Sequence, residues 1–448
     1  MADTTRSIDE DSPCLGARET RTKMWGVQRR VALDVAMVCW GLGTWLGVNG
    51  LYVQLPLLVE RLPEGWALPA GMTLAVQLAN VGPLLYAALR SLLPSLAENL
   101  CIYALLLVGA LALLLNAFLH PQTAVVGGTE RSVAFLALTF FAGLVGCTSS
   151  VLFYPYLRHY RDVYLATYLV GEGLSGFAPS VLALVQGVGG EPECVPSPDN
   201  STLAAVYPPP RFDSTVFMAV LSALAALSLV GFASVDRCSA FRTERAAPTA
   251  LAKSSEAEAE AEAEAAAGSL LRPQWVALLA LMLALNALMN GVLPSVQSYS
   301  CMPYGARAYH LAAALGTVAN PLACLAGVWL RPLSAPALGA LLALALPPLG
   351  YILATALLSP APPLLHSPGG EFLVVLSWVV VTGVVSYGRM WVYGWARRGG
   401  AGGMRATGGV TQAGSALGSL LMFALVTYTR LFTQPQACPD PVTLTQRS

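Results

Sequence analysis

The sequence predicts an all-α polytopic membrane protein of about eleven transmembrane helices in a six-plus-five pseudo-symmetric transporter arrangement. Three observations predict it. The 448 residues are 55% apolar and only 11% charged, and their mean hydropathy is +0.60, where soluble domains carry roughly 25% charged residues. Eleven stretches reach the roughly 18 mainly apolar residues that a crossing needs. Two polar motifs recur six spans apart. Lys plus Arg equals Asp plus Glu at 25 each, so no global field exists to draw in nucleic acid or an anionic substrate.

Residues 1–30 form a polar N-terminal tail with Asp3, Asp9, Glu10 and Glu19, unlike a removable secretory signal. The first membrane half, 31–235, holds spans at 31–59, 67–90, 99–119, 133–155, 163–188 and 215–235. An acidic linker, 236–273, follows. Its alternating Glu256 to Glu264 run is a good helix former without an apolar stripe, and reads as a solvated tether. The second half, 274–431, holds spans at 274–296, 307–330, 334–358, 372–395 and 407–431, before a tail at 432–448.

With the N-terminus in the cytoplasm, eighteen of the 25 Lys and Arg residues fall on inner segments and six on outer ones, leaving Arg389 inside a span. The positive-inside rule therefore places the C-terminus outside. The sequon Asn200-Ser201-Thr202 falls outside in the same orientation, as glycosylation at Asn200 requires. Of nine cysteines, only Cys194, Cys301 and Cys438 then meet an oxidising compartment, which allows one disulfide and a remainder. The pair expected is Cys194 with Cys301. Cys39, Cys101, Cys147 and Cys324 read as small packing residues with no metal-site spacing.

Span 1 carries Val48-Asn49-Gly50-Leu51, then Gln54 and Pro56; span 7 carries Met289-Asn290-Gly291-Val292, then Pro294 and Gln297. The next spans repeat the match, with Ala79-Asn80-Val81-Gly82-Pro83 against Ala319-Asn320-Pro321. An even offset of six spans makes the repeat parallel, a plan known in transporters. An amide in hydrocarbon without partners costs several kcal/mol, so these side chains face either a neighbouring helix or a wet cavity. Asn286 and Asn290, four apart, share a helix face. The adjacent glycines and prolines free backbone groups, which is tolerated where a cavity is lined.

Glu172 lies among glycines in Gly171-Glu172-Gly173-Leu174-Ser175-Gly176, and an intramembrane carboxyl points to ligand binding or proton transfer. His310, near the outer end of span 8, is a second titratable candidate. Asp34 and Arg389 lie towards inner span ends, where snorkelling accounts for Arg389. Trp40, Trp45, Tyr52, Tyr304 and Tyr309 offer aromatic surface, or interface anchors in the case of the last two. The candidate substrate-binding set is Trp45, Asn49, Gln54, Gln77, Asn80, Glu172, Asn286, Asn290, Gln297 and Asn320; the proton-linked candidates are Glu172 and His310. So amide-rich a lining with so few fixed charges suits a neutral ligand with several hydrogen-bonding groups. The Gly399 to Gly409 run lacks the Lys and preceding strand of a phosphate loop, so ATP-driven pumping is unsupported.

The runs Gly41-Leu42-Gly43-Thr44-Trp45, Leu62-Pro63-Glu64-Gly65-Trp66, Asn290-Gly291-Val292-Leu293-Pro294-Ser295-Val296-Gln297-Ser298-Tyr299-Ser300-Cys301 and Ala308-Tyr309-His310-Leu311-Ala312 resemble the riboflavin transporter family, solute carrier family 52. The resemblance covers roughly 31–430 and leaves out the N-terminal extension and the Glu-Ala tether. It implies sodium-independent uptake of riboflavin at the plasma membrane by alternating access, with riboflavin as cargo, no cofactor, no enzymatic activity and no obligate protein partner beyond the lipid bilayer. Riboflavin's flat ring can stack while its ribityl hydroxyls and ring amides meet Asn, Gln and Glu. Gln54 stands where relatives commonly carry Glu, Gly388-Arg389 replaces a usual Val-Lys, and Ala361 replaces a frequent outer-loop Cys, with Cys438 alone in the tail. The resemblance therefore implies neither proton coupling through position 54 nor a family-like disulfide to the tail.

Two other readings stay open on the residues alone: a nucleoside or choline carrier, and a multispan cell-surface receptor. The repeat and the absence of an acidic-Arg-Tyr triplet at the inner end of a third span weigh against a receptor.

Overall fold

The first span bends at Gly43–Trp45. In the computed structural model, helix α1 (Val31–Leu42) gives way to α2 (Leu46–Leu58) with a change of direction of 52°. At the break the backbone tightens: Gly43 N–H bonds Trp40 O at 3.2 Å, and Thr44 bonds Gly41 O through both its N–H and its hydroxyl. The structure describes residues 21–24, 27–157, 159–188, 193–196, 203–206, 208–245, 272–329, 334–365, 367–397, 400–435 and 438. The sequon Asn200, most of the linker (246–271) and the tails at 1–20 and 439–448 lie outside the described residues.

The second span also breaks, into α3 (Leu68–Leu78) and α4 (Val81–Leu92) around Asn80. Single long helices follow: α5 (Glu98–Leu119), α6 (Val133–Leu157), α7 (Asp162–Gln186) and α8 (Ser214–Arg237). After the linker, α9 (Arg272–Ala287) passes through a π-helical turn at Leu288–Val292 into α10 (Leu293–Cys301). Then come α11 (Ala306–Trp329), α12 (Ala335–Leu344), α13 (Leu346–Leu357), α14 (Pro368–Arg397) and α15 (Gly400–Tyr428). Three two-stranded ribbons, Arg21–Met24 with Val27–Arg30, Ala124–Val126 with Thr129–Arg131, and Glu193–Pro196 with Leu203–Val206, and three short 3-10 turns at Gly65–Ala67, Ser239–Glu244 and Met302–Tyr304 complete the described elements.

Among the described residues, nine helices are long and apolar enough to cross a membrane, or ten when the bent α1–α2 pair counts as one span. The eleventh span expected from the sequence falls on α11, whose 24 residues have the length of a crossing. Packing pairs the helices in a recurring way. The first span packs on α7 and the second on α6; correspondingly, α9 packs on α15 and α11 on α14. Contacts between the sets before and after the linker match as well: α3 against α10 and α15, α11 against α2 and α7.

Two of these crossings are made by glycine. A Cβ on Gly171 of α7 would stand 2.2 Å from Val38 O of α1, and one on Gly41 would stand 2.3 Å from Tyr168 O. In the corresponding pair, Gly414 and Gly418 of α15 lie equally close to Leu283 O and Ala287 O of α9, at 2.3 and 2.4 Å. Small residues let backbones meet where lipid gives no hydrophobic drive.

Each end of the bundle has its own clamp. On the face that carries the linker, Glu244 is buried between Arg30 (3.3 Å) and Arg161 (3.0 Å), while Asp236 accepts from Tyr156, Tyr103 and Asn99. Beneath them Trp40 packs among Phe153, Tyr156, Tyr168 and Phe232. On the opposite face, a disulfide joins Cys194 to Cys438. This corrects the expected Cys194–Cys301 pair: Cys301 ends α10 as a fully buried free thiol, whereas the segment after α15 brings Cys438 to the ribbon that holds Cys194. A disulfide to the tail is thus present, and position 361, an Ala, takes no part in it.

Two outcomes are expected. Gly171→Ala puts a methyl against the α1 backbone and should cost roughly 1–3 kcal/mol by overpacking; an unchanged thermal midpoint in detergent would contradict so close a crossing. Just past α2, burial pushes the Glu60 carboxyl up to about 8, with Arg61 offsetting part of the rise. The folded state then holds a proton that the unfolded chain releases near the ordinary carboxylate value, so stability declines as pH rises towards about 8 and levels off above. Glu60→Gln should flatten that decline in a pH series of thermal midpoints.

Candidate functional site

The polar residues of the repeat fall into three groups. At the first, α2, α7 and α11 converge between the two sets of helices. Gly176 of α7 leaves room there: a Cβ on it would lie 3.3 Å from Asn49 Nδ2 and 3.4 Å from the Thr317 methyl. One turn away on α7, Gly173 faces Pro321 at 3.9 Å, and the Glu172 carboxylate accepts a 2.9 Å hydrogen bond from Tyr154 of α6. Asn49, Glu172, Tyr154 and Thr317 are all half-buried, and Asn320 is exposed on α11. Trp45, also half-buried, lays its indole on Gly146 of α6, where a Cβ would come within 2.6 Å.

A polar ladder joining α9 and its π turn to α15 makes the second group. Asn286 is fully buried and donates to Met282 O at 2.8 Å and Thr411 Oγ1 at 3.5 Å. Asn290 donates to Ser415 Oγ at 2.9 Å and to Asn286 Oδ1 at 3.3 Å, so the two amides lie on one face as their spacing predicts. Ser419 bonds Asn290 O, and Tyr393 reaches Thr411. The π turn positions Asn290: its widened backbone lets Gly291 sit 2.4 Å, by the same Cβ measure, from the Gly418 backbone. The third group is Gln77 and Asn80, joined at 3.0 Å across the α3–α4 break and both half-buried.

The remaining candidates lie apart from these groups. Gln54 is 1% exposed and bonds Gln186, which in turn donates to Phe212 O at 2.9 Å, so the pair closes the disulfide-face ends of α2 and α7. Gln297 is half-buried on α10. His310 is buried, and its Nε2 has no hydrogen-bond partner among the described residues.

Chemically, the interface between the two helix sets offers one carboxylate held by a phenol, amides able to donate and accept, and space kept open by glycine. Asn286 and Gln54 have spent their donors on protein partners; Asn49 and Glu172 stand where the two sets meet. Sequence reasoning missed Tyr154, Thr317, Thr411 and Ser415. A Gly414-x-x-x-Gly418 spacing around Ser415 was the available signal for the α9–α15 contact; nothing in the sequence pairs Tyr154 with Glu172.

A family model described as solute carrier family 52, riboflavin transporter, matches residues 29–434. Similar proteins include riboflavin transporter member 3-A of Danio rerio, 39% identical over 90% of this chain and 97% of the relative. Riboflavin transporter member 2 of Homo sapiens is 38% identical over 92% and 98%. Among solved structures, the chain resembles the xylose transporter XylE from E. coli in a partially occluded inward open conformation, with a TM-score of 0.54 at 11% identity, over 91% of this chain and 92% of that one. It also resembles the nucleoside transporter NupG, with a TM-score of 0.51 at 13% identity over 88% and 90%. These likenesses show a fold shared with those two proteins. The length of the family match and the identity to its members establish that the chain belongs to solute carrier family 52, the riboflavin transporters, and is not an enzyme.

Proposed function

We propose that this protein takes up riboflavin across the plasma membrane by alternating access, without sodium. The observation that carries the reading, beyond the family, is the meeting of Asn49, Gly176 and Thr317 between the two helix sets, one turn from Glu172. Groups placed there change neighbours whenever the sets rock against each other, so they can hold a ligand in one state and release it in the next. A neutral flavin suits them: hydroxyls and ring amides meet amides and a carboxylate, and the ring can lie on Trp45.

Eleven crossings fit this mechanism, with the bent first span and α11 each counted once. The matching contacts, first span with α7 and α9 with α15, second span with α6 and α11 with α14, support a parallel repeat of six spans (31–235) and five (274–431). The disulfide supports an outer position for its face, as does the Lys and Arg count, so the N-terminus is cytoplasmic and the C-terminus extracellular. Asn200 then lies outside, between the strands Glu193–Pro196 and Leu203–Val206, where a glycan can be added.

Purified protein in liposomes should accumulate radiolabelled riboflavin equally with sodium or potassium outside. Unlabelled flavins should compete, and nucleosides and choline should not. Competition by nucleosides would favour the second carrier reading, and absence of flux a receptor. Asn49→Ala should abolish most uptake at normal surface levels and little changed stability. Asn290→Ala should also lose about 1 kcal/mol of stability, because it breaks the bond to Ser415. Normal uptake by either variant would remove that residue from the site. If Glu172 carries a proton, Glu172→Gln flattens the pH profile of uptake; an unchanged profile passes the role to His310 or to neither.

A further inference from the structure

One residue of the disulfide face is held from both sides of the molecule. Trp66 belongs to the loop after α2, yet each of its backbone polar groups is satisfied by the helix set beyond the linker. Its N–H donates to Gln434 Oε1 at 2.9 Å, and its C=O accepts from Ser298 Oγ of α10 at 2.6 Å. Its ring meets Tyr299 edge-on at 5.9 Å, and Tyr299 packs on Phe432 at 5.3 Å. Trp66 is 7% exposed, so these bonds are shielded from water.

The loop is presented rigidly from its own side. Glu64 accepts from both the N–H and the hydroxyl of Ser132 at the start of α6, at 2.7 and 2.6 Å. Gly65 adopts φ +55° and leaves the space that the Gln434 amide occupies, since a Cβ there would stand 2.4 Å from Oε1. The tail is anchored in turn: Thr433 and Ser359 exchange hydrogen bonds, and Cys438 is bonded to Cys194 on the first helix set.

We infer that Trp66 is the bolt of the outer gate and that Gln434 and Ser298 are the residues that position it. The inference rests on the alternating-access reading. When the two helix sets part on this face, the bonds from Gln434 and Ser298 to Trp66 break together, because both partners lie on the opposite set. The disulfide does not close the gate itself. It keeps Gln434 near Trp66 after each opening, so that closing is an intramolecular event at high effective concentration.

The test uses the full-length protein at the cell surface with Ser298→Cys as reporter, a small thiol under Trp66. Its labelling by a membrane-impermeant maleimide, resolved by peptide mass spectrometry, reads opening without any use of riboflavin. Gln434→Ala should raise the labelling rate about fivefold, the shift that one net hydrogen bond supports. It should lower the half-saturating riboflavin concentration for uptake by a similar factor, since the outward-open fraction grows. Reduction of Cys194–Cys438 on Ser298→Cys protein that has already reached the surface should also raise the rate, and this arm does not depend on folding of the Gln434 variant. Equal rates in all arms would overturn the inference. Faster labelling in a protein that moves no riboflavin would keep the gate and refute the cargo.

Discussion

Two backbone contacts set the spacing of everything else in this molecule: α1 against α7, and α9 against α15. At each, a carbonyl of one helix lies where a Cβ of the other would be, so only glycine is accommodated. Such contact fixes the height of one helix against the other to within a fraction of a turn. Glu172 stands beside Gly171, and Ser415 beside Gly414, so the same crossings that bind the helices also place the polar groups. In lipid, where burial of apolar surface drives little association, this shape match and a few interhelical hydrogen bonds supply the cohesion.

The polar groups then divide according to what they have already bonded. Asn286 and Gln54 have protein partners and negligible exposure, and they act as rivets within or at the end of the bundle. Asn49 and Glu172 sit at the junction of the two helix sets, where the fold leaves side chains half-buried and glycine takes the place of bulk. Asn290 has both characters. It is tied to Ser415, yet remains half-buried at a π turn, a backbone irregularity frequent at functional positions.

Much of this was legible in the sequence because the signals are local. Apolar run length placed the helices, and the four-residue spacing put Asn286 beside Asn290; the expected interruption falls at Gly291 in the π turn, whereas Gly50 and Pro56 lie within α2 and Pro321 within α11, and the first span bends at Gly43–Trp45 instead. Partner choice was not legible. Gln54 reads as a membrane amide, but its bond to Gln186, 132 residues on, follows from how α2 meets α7. The cysteine pairing failed for the same reason: Cys301 and Cys438 are equivalent by topology, and only the course of the segment after α15 across the disulfide face selects Cys438. Tyr154 gave no sign of its role because an aromatic in a span is ordinarily packing.

The central claim is that the junction of α2, α7 and α11 lines the path of the cargo. Its most direct test is substrate protection of a thiol placed there by Thr317→Cys, in membranes open to reagent on both faces. Saturating riboflavin should slow alkylation of that thiol several-fold, and choline should leave it unchanged. Alkylation at the same rate with and without riboflavin, in protein that demonstrably binds it, would place the cargo elsewhere and contradict the account.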